Sequence, residues 1–456
     1  MKEEKVLIKN GLALLWEDSS WKIEKKDILI SGNRIESIIA PDSKSFELCT
    51  LNSELSQFPF RIIDASGKLV MPGLINAHTH AYMTIHRNVA DDLAFFDWLD
   101  AVQRIEDYMT EEDVYWTTLL AIIEMLRSGT TCFVDMTIKS AKEKSGPKSA
   151  AAGAVYDSGF RAVISRGLAG VSDSEESLMK YGQAVYEMAL FKDETRLQFL
   201  HGPHAPYSCM ADYLQMLTAS ARDRCIGQTI HLSESQAEMD SIRKEHAATP
   251  IAYVDSLGVF DVPVIAAHCV YATDEDIRLM AEKGVSVALC PKSNMKLGNG
   301  FAPAQKLLDA GINVCLGTDG CGSNNSLNMF SEMNAAALVY KGAMRRAQCV
   351  SAAEVLKMAT VNGAKAIGRE GELGVIREGA LADLILVNLD EPQFLPQNSI
   401  LSGLVYSSTG AEVDTVLVDG EILMENRTLT TIKEEEVFAK IRDIVARIRR
   451  SSALLE

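Results

Sequence analysis

The sequence predicts an α/β protein: a (β/α)8 barrel of the TIM type joined to a small β-sandwich that both chain termini build. Three observations lead there. Eight short apolar runs recur between about Met71 and Gly374, the stretches between them carry helical spacing, and strand-like runs cluster at the two chain ends. The expected organisation is residues 1–70 as the first part of the sandwich, 71–374 as the barrel, and 375–456 as the rest of the sandwich with a terminal helix.

Taken in order, Val6–Ile8, Asp27–Ile30 and Arg34–Ile39 are strand candidates, the last two joined by a tight turn at Gly32-Asn33. At the other end Ala382–Val387 and Asp414–Val418 read as strands, and Asp419-Gly420 turns the second into Glu421–Leu423. Neither group alone can bury both faces of a sheet, so one sandwich from both termini is the economical solution, with the middle segment inserted. The barrel strands are expected at Gly73–Ala77, Thr130–Met136, Phe160–Ser165, Leu197–Leu200, Gln228–Leu232, Val262–Ala267, Val285–Leu289 and Ile312–Gly317. Helical spacing separates them, as in Val114, Leu119, Ile122, Ile123 and Leu126, or Ile277, Met280 and Ala281. A doubly wound open sheet competes, but the glycine-rich phosphate turn it usually carries after its first strand is missing. Val437, Ile441, Ile444, Val445 and Ile448 mark a terminal amphipathic helix.

Composition narrows the function. The 456 residues are 47% hydrophobic and 23% charged, which are ordinary globular values. The net charge of −17 repels a phosphate backbone and an anionic bilayer, so neither nucleic acid nor membrane is expected as a partner. Nine cysteines without a CxxC pair read as reduced thiols. The stretch MKEEKVLIKNG has no apolar signal core, and no uncharged apolar run reaches about 18 residues, so a cytoplasmic protein is expected. A homo-oligomer is expected only by analogy of fold, because exposed sandwich faces could pair subunits.

The placement of the eight histidines is the most informative feature. His78 and His80 close the first barrel strand, and residues i and i+2 of a strand share a face, so both imidazoles can meet one ion. His231 closes the fifth strand, His268 the sixth and Asp319 the eighth. Taken singly, a histidine is more often a surface or satisfied core residue than a ligand, and HxH alone is a weak signal. Four histidines and an aspartate at the C-terminal strand ends, where barrels keep their chemistry, predict a shared site for a borderline ion such as Zn2+. His86 and His246 fall in loop or helical segments and keep the ordinary reading; His201 ends the fourth strand before Gly-Pro and fits a structural or supporting role equally.

Glu234, three residues after His231, lies where the chain bends over the barrel mouth. Alone it reads as a first-turn helix glutamate; beside a metal ligand it reads as the proton carrier of a hydrolytic step. Two-metal versions of this architecture commonly bridge their ions with a carboxylated lysine from the fourth strand. Leu197 to His204 holds no lysine, so one ion is expected. His268 is then free to hydrogen-bond the attacking water or the leaving edge of the substrate.

The strings Pro72-Gly73-Leu74-Ile75-Asn76-Ala77-His78-Thr79-His80, His231-Leu232-Ser233-Glu234, Ala266-Ala267-His268-Cys269 and Gly317-Thr318-Asp319 resemble the metal-dependent amidohydrolase superfamily. Gly202–Tyr207, Asn294–Gly300 and Ser323–Asn328 are similar to its 5′-methylthioadenosine/S-adenosylhomocysteine deaminase branch. The resemblance implies that His78, His80, His231 and Asp319 hold the ion, that Glu234 shuttles a proton to purine N1, and that His268 orients the bound water. It also implies that Glu106 grips the ribose hydroxyls and that Arg166 and His204 make further nucleoside contacts. Asp319 would collect the proton left on the water, making Glu234, His268 and Asp319 the catalytic set.

One departure stands out. Relatives that use S-adenosylhomocysteine well carry a second arginine in the loop after the third strand. Here that loop, Ala169–Glu176, has no basic residue and three acidic ones, Asp173, Glu175 and Glu176. A preference for neutral 5′ substituents is therefore expected. The same metal chemistry also suits guanine deamination or chloride displacement from a triazine, and Glu106 argues for a ribose. An inactive scaffold would usually have lost its ligands. A ring-opening amidase of cyclic imides would tend to use the two-metal site.

Overall fold

The computed structural model describes residues 5–41, 60–137 and 150–451; the outer ends of the expected segments, 1–4 and 452–456, lie outside them. The N-terminal half supplies β1 (Lys5–Glu17), β2 (Ser20–Ser31), β3 (Arg34–Ile39), β4 (Phe60–Asp64) and β5 (Lys68–Pro72). β1 and β2 run much further than the apolar runs Val6–Ile8 and Asp27–Ile30 suggested. Two features hide this in sequence: the register shifts between Ile8 and Gly11, and the charged stretch Lys22–Lys26 covers an outer part of β2. At the hairpin tip Trp16 pairs across the strands with Trp21, their ring centroids 4.8 Å apart, which favours the extended pairing.

The parallel strands follow: β6 (Leu74–Thr79), β7 (Thr130–Thr137), β8 (Arg161–Leu168), β9 (Leu197–Pro203), β10 (Gln228–Leu232), β11 (Val264–His268), β12 (Ser286–Leu289) and β13 (Asn313–Leu316). All eight expected strands are present, and each pairs with its sequence neighbour in one sheet. That order belongs to a barrel; a doubly wound sheet would reverse direction partway. β13 returns beside β6. There Asp319 N–H donates to His78 O at 3.0 Å, while the Asn76 side chain exchanges two bonds with Thr318. Gly317 permits the close approach: a Cβ there would lie 2.7–2.8 Å from His78 backbone and Cβ atoms. The seam that closes the barrel thus sets Asp319 beside the paired histidines.

β14 (Leu384–Asn388), β15 (Val413–Val418), β16 (Glu421–Glu425) and β17 (Thr428–Leu429) complete the C-terminal half. β14 pairs with β5, so both termini build one continuous nine-stranded mixed sheet. Alternation sorts its side chains. Val6, Ile8, Ile28, Ile30, Leu384 and Leu386 form a core of their own, while Leu14, Leu69, Met71, Ile385 and Val387 join the main core of the barrel. Buried Arg161, at the start of β8, grips Asp383 through two bonds of 2.7 and 3.0 Å and Asp419 at 2.7 Å, tying barrel to sheet.

The helices have legible starts. Glu111–Arg127 opens with a capping box between Thr110 and Asp113, and Asp274–Lys283 with one between Thr273 and Asp276. The terminal helix Glu434–Ser451 buries Val437, Ile444 and Ile448, and Arg127 pairs with Glu434 at 2.8 Å. Among the described residues no helix is long and apolar enough to cross a membrane.

Candidate metal centre and active site

The C-terminal ends of the barrel strands deliver five side chains to one point. His78 lies near the end of β6 and His80 just past it, His231 is in β10, His268 ends β11, and Asp319 follows β13. All five are buried. Ligand atoms of His78, His80 and Asp319 lie within 4.8 Å of one another, as do those of His78, His231 and His268. The chain turns sharply here: His268 and Asp319 sit at φ +73° and +62°, a left-handed backbone that costs non-glycine residues energy and clusters at functional sites.

The hydrogen bonds orient the rings. The Nδ1 of His80 donates to Met136 O at 2.6 Å and that of His231 to His204 O at 2.8 Å, which places both Nε2 lone pairs inward. Those two Nε2 atoms are 3.1 Å apart. Two facing lone pairs at that distance repel unless a cation sits against both. Asp319 Oδ1 lies 3.3 Å from His80 Nε2 and 3.6 Å from His78 Nε2, while its Oδ2 accepts from Ser293 and Ser323, each at 2.7 Å. Both ring nitrogens of His78, and Nε2 of His268, are buried without a hydrogen-bond partner. Unsatisfied inward lone pairs beside a carboxylate fit a divalent metal ion. Titration agrees. Burial lowers the His78 imidazole to about 4 and, helped by its neighbours, takes His231 well below the usual value. Burial alone would raise Asp319, but His78, His80 and His268 outweigh it and hold the carboxyl well below the usual range. Neutral imidazoles and an ionised carboxylate are the ligating forms.

Glu234 points into the same cavity. Its Oε2 is 3.8 Å from His268 Nε2, and Asn299 donates to its Oε1 at 3.4 Å. Burial, reinforced by the Asp319 charge, pushes its carboxyl well above the ordinary value, which favours the protonated form. The Glu238 carboxylate accepts from the backbone N–H of Ser233 (2.9 Å) and Glu234 (2.7 Å), fixing the bend at Ser233, where φ is +50°.

The cavity has a volume of about 260 Å³ and is lined at its floor by His80, His231, His268, Asp319 and Glu234. Phe95, Trp98, Leu99 and Val102 form an apolar wall on the helix Phe95–Glu106, at i, i+3, i+4 and i+7. Glu106 lines the cavity and accepts from the Tyr82 hydroxyl, and His204 lines it with Nδ1 2.7 Å from Ser208 Oγ. Arg166 is not among the lining residues: its guanidinium pairs with buried Glu187 at 2.9 Å and lies 3.7 Å from Glu111. His201 faces away from the cluster, toward Ser220 (2.9 Å) and Tyr181, and burial lowers it to about 4, so its role is structural. His86 is buried in the short helix Ala81–His86, and His246 stacks on Tyr253. Sequence reasoning does not single out Tyr82, Lys180 or Ser208 in the lining, and it reaches Tyr207 only as the end of a motif. It quoted Asn294, which accepts from His268 Nδ1 at 3.0 Å, and Ser323 only as parts of motifs.

Comparison with known proteins agrees with this geometry. A deaminase of Thermoanaerobacter pseudethanolicus named 5-methylthioadenosine/S-adenosylhomocysteine deaminase is 40% identical over 96% of this chain and 97% of its own. One of the same name from Acetivibrio thermocellus is 45% identical over 86% and 89%. The crystal structure of an adenosine deaminase from Xanthomonas campestris with bound zinc superposes with a TM-score of 0.88 at 30% identity, covering 98% of both chains. The amidohydrolase family model matches residues 69–423, from the last strand of the N-terminal half, through every side chain of the cluster, to β16. On the family match, and on relatives this similar over nearly their full length, the chain belongs to the amidohydrolase family.

Proposed function

We propose that this chain is a hydrolytic deaminase of adenosine-type nucleosides (5′-methylthioadenosine, S-adenosylhomocysteine or adenosine), releasing ammonia and the inosine analogue. One cavity carries the reading: it is lined by the imidazole–carboxylate cluster, by Glu234, whose carboxyl is pushed well above its ordinary value, and by Glu106, the residue assigned to the ribose hydroxyls. Relatives named for this reaction at 40 and 45% identity support it. The barrel segment 71–374 is assigned as the catalytic unit, and residues 1–70 and 375–456 as its sandwich. The free state of all eight described cysteines is compatible with a cytoplasmic setting.

His78, His80, His231 and Asp319 would hold one divalent ion, assigned as zinc. The histidine-rich donor set and the zinc-bound adenosine deaminase support that identity, and the lack of a lysine in β9 supports a single ion. When bound, such an ion supplies Lewis acidity that brings the pKa of water toward about 7. The side chains supply the rest. Glu234 donates its proton to purine N1, which makes C6 electrophilic. His268, oriented by Asn294, hydrogen-bonds the incoming water. As the water oxygen bonds to C6, Asp319 takes a proton from it, since its Oδ1 faces the cluster while Ser293 and Ser323 fix its Oδ2. Asp319 passes that proton to the exocyclic amine, the C6–N bond breaks with its electron pair leaving on ammonia, and the C6 hydroxyl proton returns to Glu234 as the carbonyl forms, so that water has replaced ammonia. The apolar wall from Phe95 to Val102 limits other water.

Ammonia release from adenosine, 5′-methylthioadenosine, S-adenosylhomocysteine, guanine and a chlorotriazine tests the proposal. The nucleosides are expected to exceed guanine and triazine by at least about 10²-fold in kcat/KM, because only they engage Glu106. Faster turnover of guanine, or chloride release from the triazine, would contradict it.

A further inference from the structure

The expected preference for neutral 5′ substituents rests on a loop, Ala169–Glu176, that has no basic residue and three acidic ones, Asp173, Glu175 and Glu176. All three are exposed, and none lines the cavity. Among the described residues the lining contains one lysine or arginine, Lys180, which follows the loop by one helical turn, on the helix Glu175–Leu190. We infer that Lys180 forms a subsite for an anionic 5′ substituent of the nucleoside, specifically a carboxylate tail such as that of S-adenosylhomocysteine. This deepens the proposed function and rests on it.

The wall around Lys180 is built. Ser177 donates to Ala169 O at 3.3 Å, Gly170 N–H donates to Ser208 O at 2.9 Å, and Ser208 bonds the ring of His204 at 2.7 Å. Lys180 therefore belongs to the wall that carries His204, and it faces the apolar helix Phe95–Glu106 across a shared cavity. Its side chain is only 18% exposed, and its partner Glu176, 2.7 Å away, is 69% exposed. An i,i+4 pair with so much water contact holds its members weakly, so a substrate carboxylate can take the place of Glu176 at little cost. Arg166 is differently placed. Its side chain is 8% exposed and locked to Glu187 at 5%, so its charge is already answered inside the protein. Among the described residues Lys180 is thus the cavity cation that can exchange partners. The exposed acids of the loop are screened by solvent, whereas a charge lining the cavity is screened much less.

The test is the ratio of kcat/KM for S-adenosylhomocysteine to that for 5′-methylthioadenosine, in the intact metal-loaded protein and in Lys180→Met, Lys180→Arg and Glu176→Gln. A ratio within one preparation is independent of the fraction folded or metal-loaded. Lys180→Met is expected to lower the ratio about tenfold, the loss of one hydrogen bond to a charged group, chiefly through KM. Lys180→Arg is expected to retain it, and Glu176→Gln, which frees the ammonium, to raise it. Added salt should weaken the ratio in the wild type more than in Lys180→Met. An unchanged ratio in Lys180→Met, with both nucleosides still deaminated, would overturn the subsite and leave the deaminase reading standing. Absence of ammonia from every nucleoside would overturn that reading, and the subsite with it.

Discussion

Replacing Glu234 with Gln is expected to lower kcat by roughly 10²–10⁴-fold while the purified variant keeps its metal. The amide preserves the size of the side chain and its contact with Asn299, and Glu238 continues to fix the backbone of residues 233 and 234. What disappears is a transferable proton. Burial and the Asp319 charge favour that proton on Glu234, so that it can protonate ring N1 and later regain a proton from the C6 hydroxyl. Because Glu234 lies outside the proposed ligand set, metal content should match the wild type. A Glu234→Gln variant with nearly normal turnover would remove this residue from the mechanism.

Asp319→Asn is expected to lower turnover by at least roughly 10³-fold and to lose metal as well. The substitution isolates charge from shape. Asp319 has φ +62°, and asparagine is among the few residues that tolerate this conformation, so the bend after β13 should survive. Its carboxylate is the one negative charge among the proposed ligands, and it also accepts the proton of the attacking water. A neutral amide can do neither. Metal analysis alongside kcat then separates the two variants: Glu234→Gln should be loaded and slow, Asp319→Asn depleted and slow. Full metal content in Asp319→Asn would mean that the imidazoles alone hold the ion.

The barrel strands were legible because each is an apolar run closed by polar residues, and a parallel strand buried on both faces can hardly be written otherwise. The cluster was legible for a related reason: imidazoles at strand ends are rare enough in this chain, with eight in 456 residues, to stand out. β1 and β2 were read short because solvent-facing Lys22, Glu24, Lys25 and Lys26 mask a strand whose pairing depends on the hairpin rather than on burial. The resemblance implies a nucleoside contact for Arg166; its pairing with Glu187, 21 residues further on, is something spacing within a motif does not reveal. Lys180 is not legible from the charges of the loop itself. The residue that enters the cavity stands on the following helix, where α-helical geometry, not loop composition, decides which side chain faces inward.

The central claim is that a cation held by the cluster of imidazoles and Asp319 is required for deamination. It is tested most directly by measuring ammonia release from 5′-methylthioadenosine together with bound metal, first in purified protein, then after chelation, then as zinc is titrated back. The account predicts that activity falls in proportion to metal removed and returns in full at about one equivalent per chain. Chelated protein that holds no metal yet turns over as fast as before would contradict it.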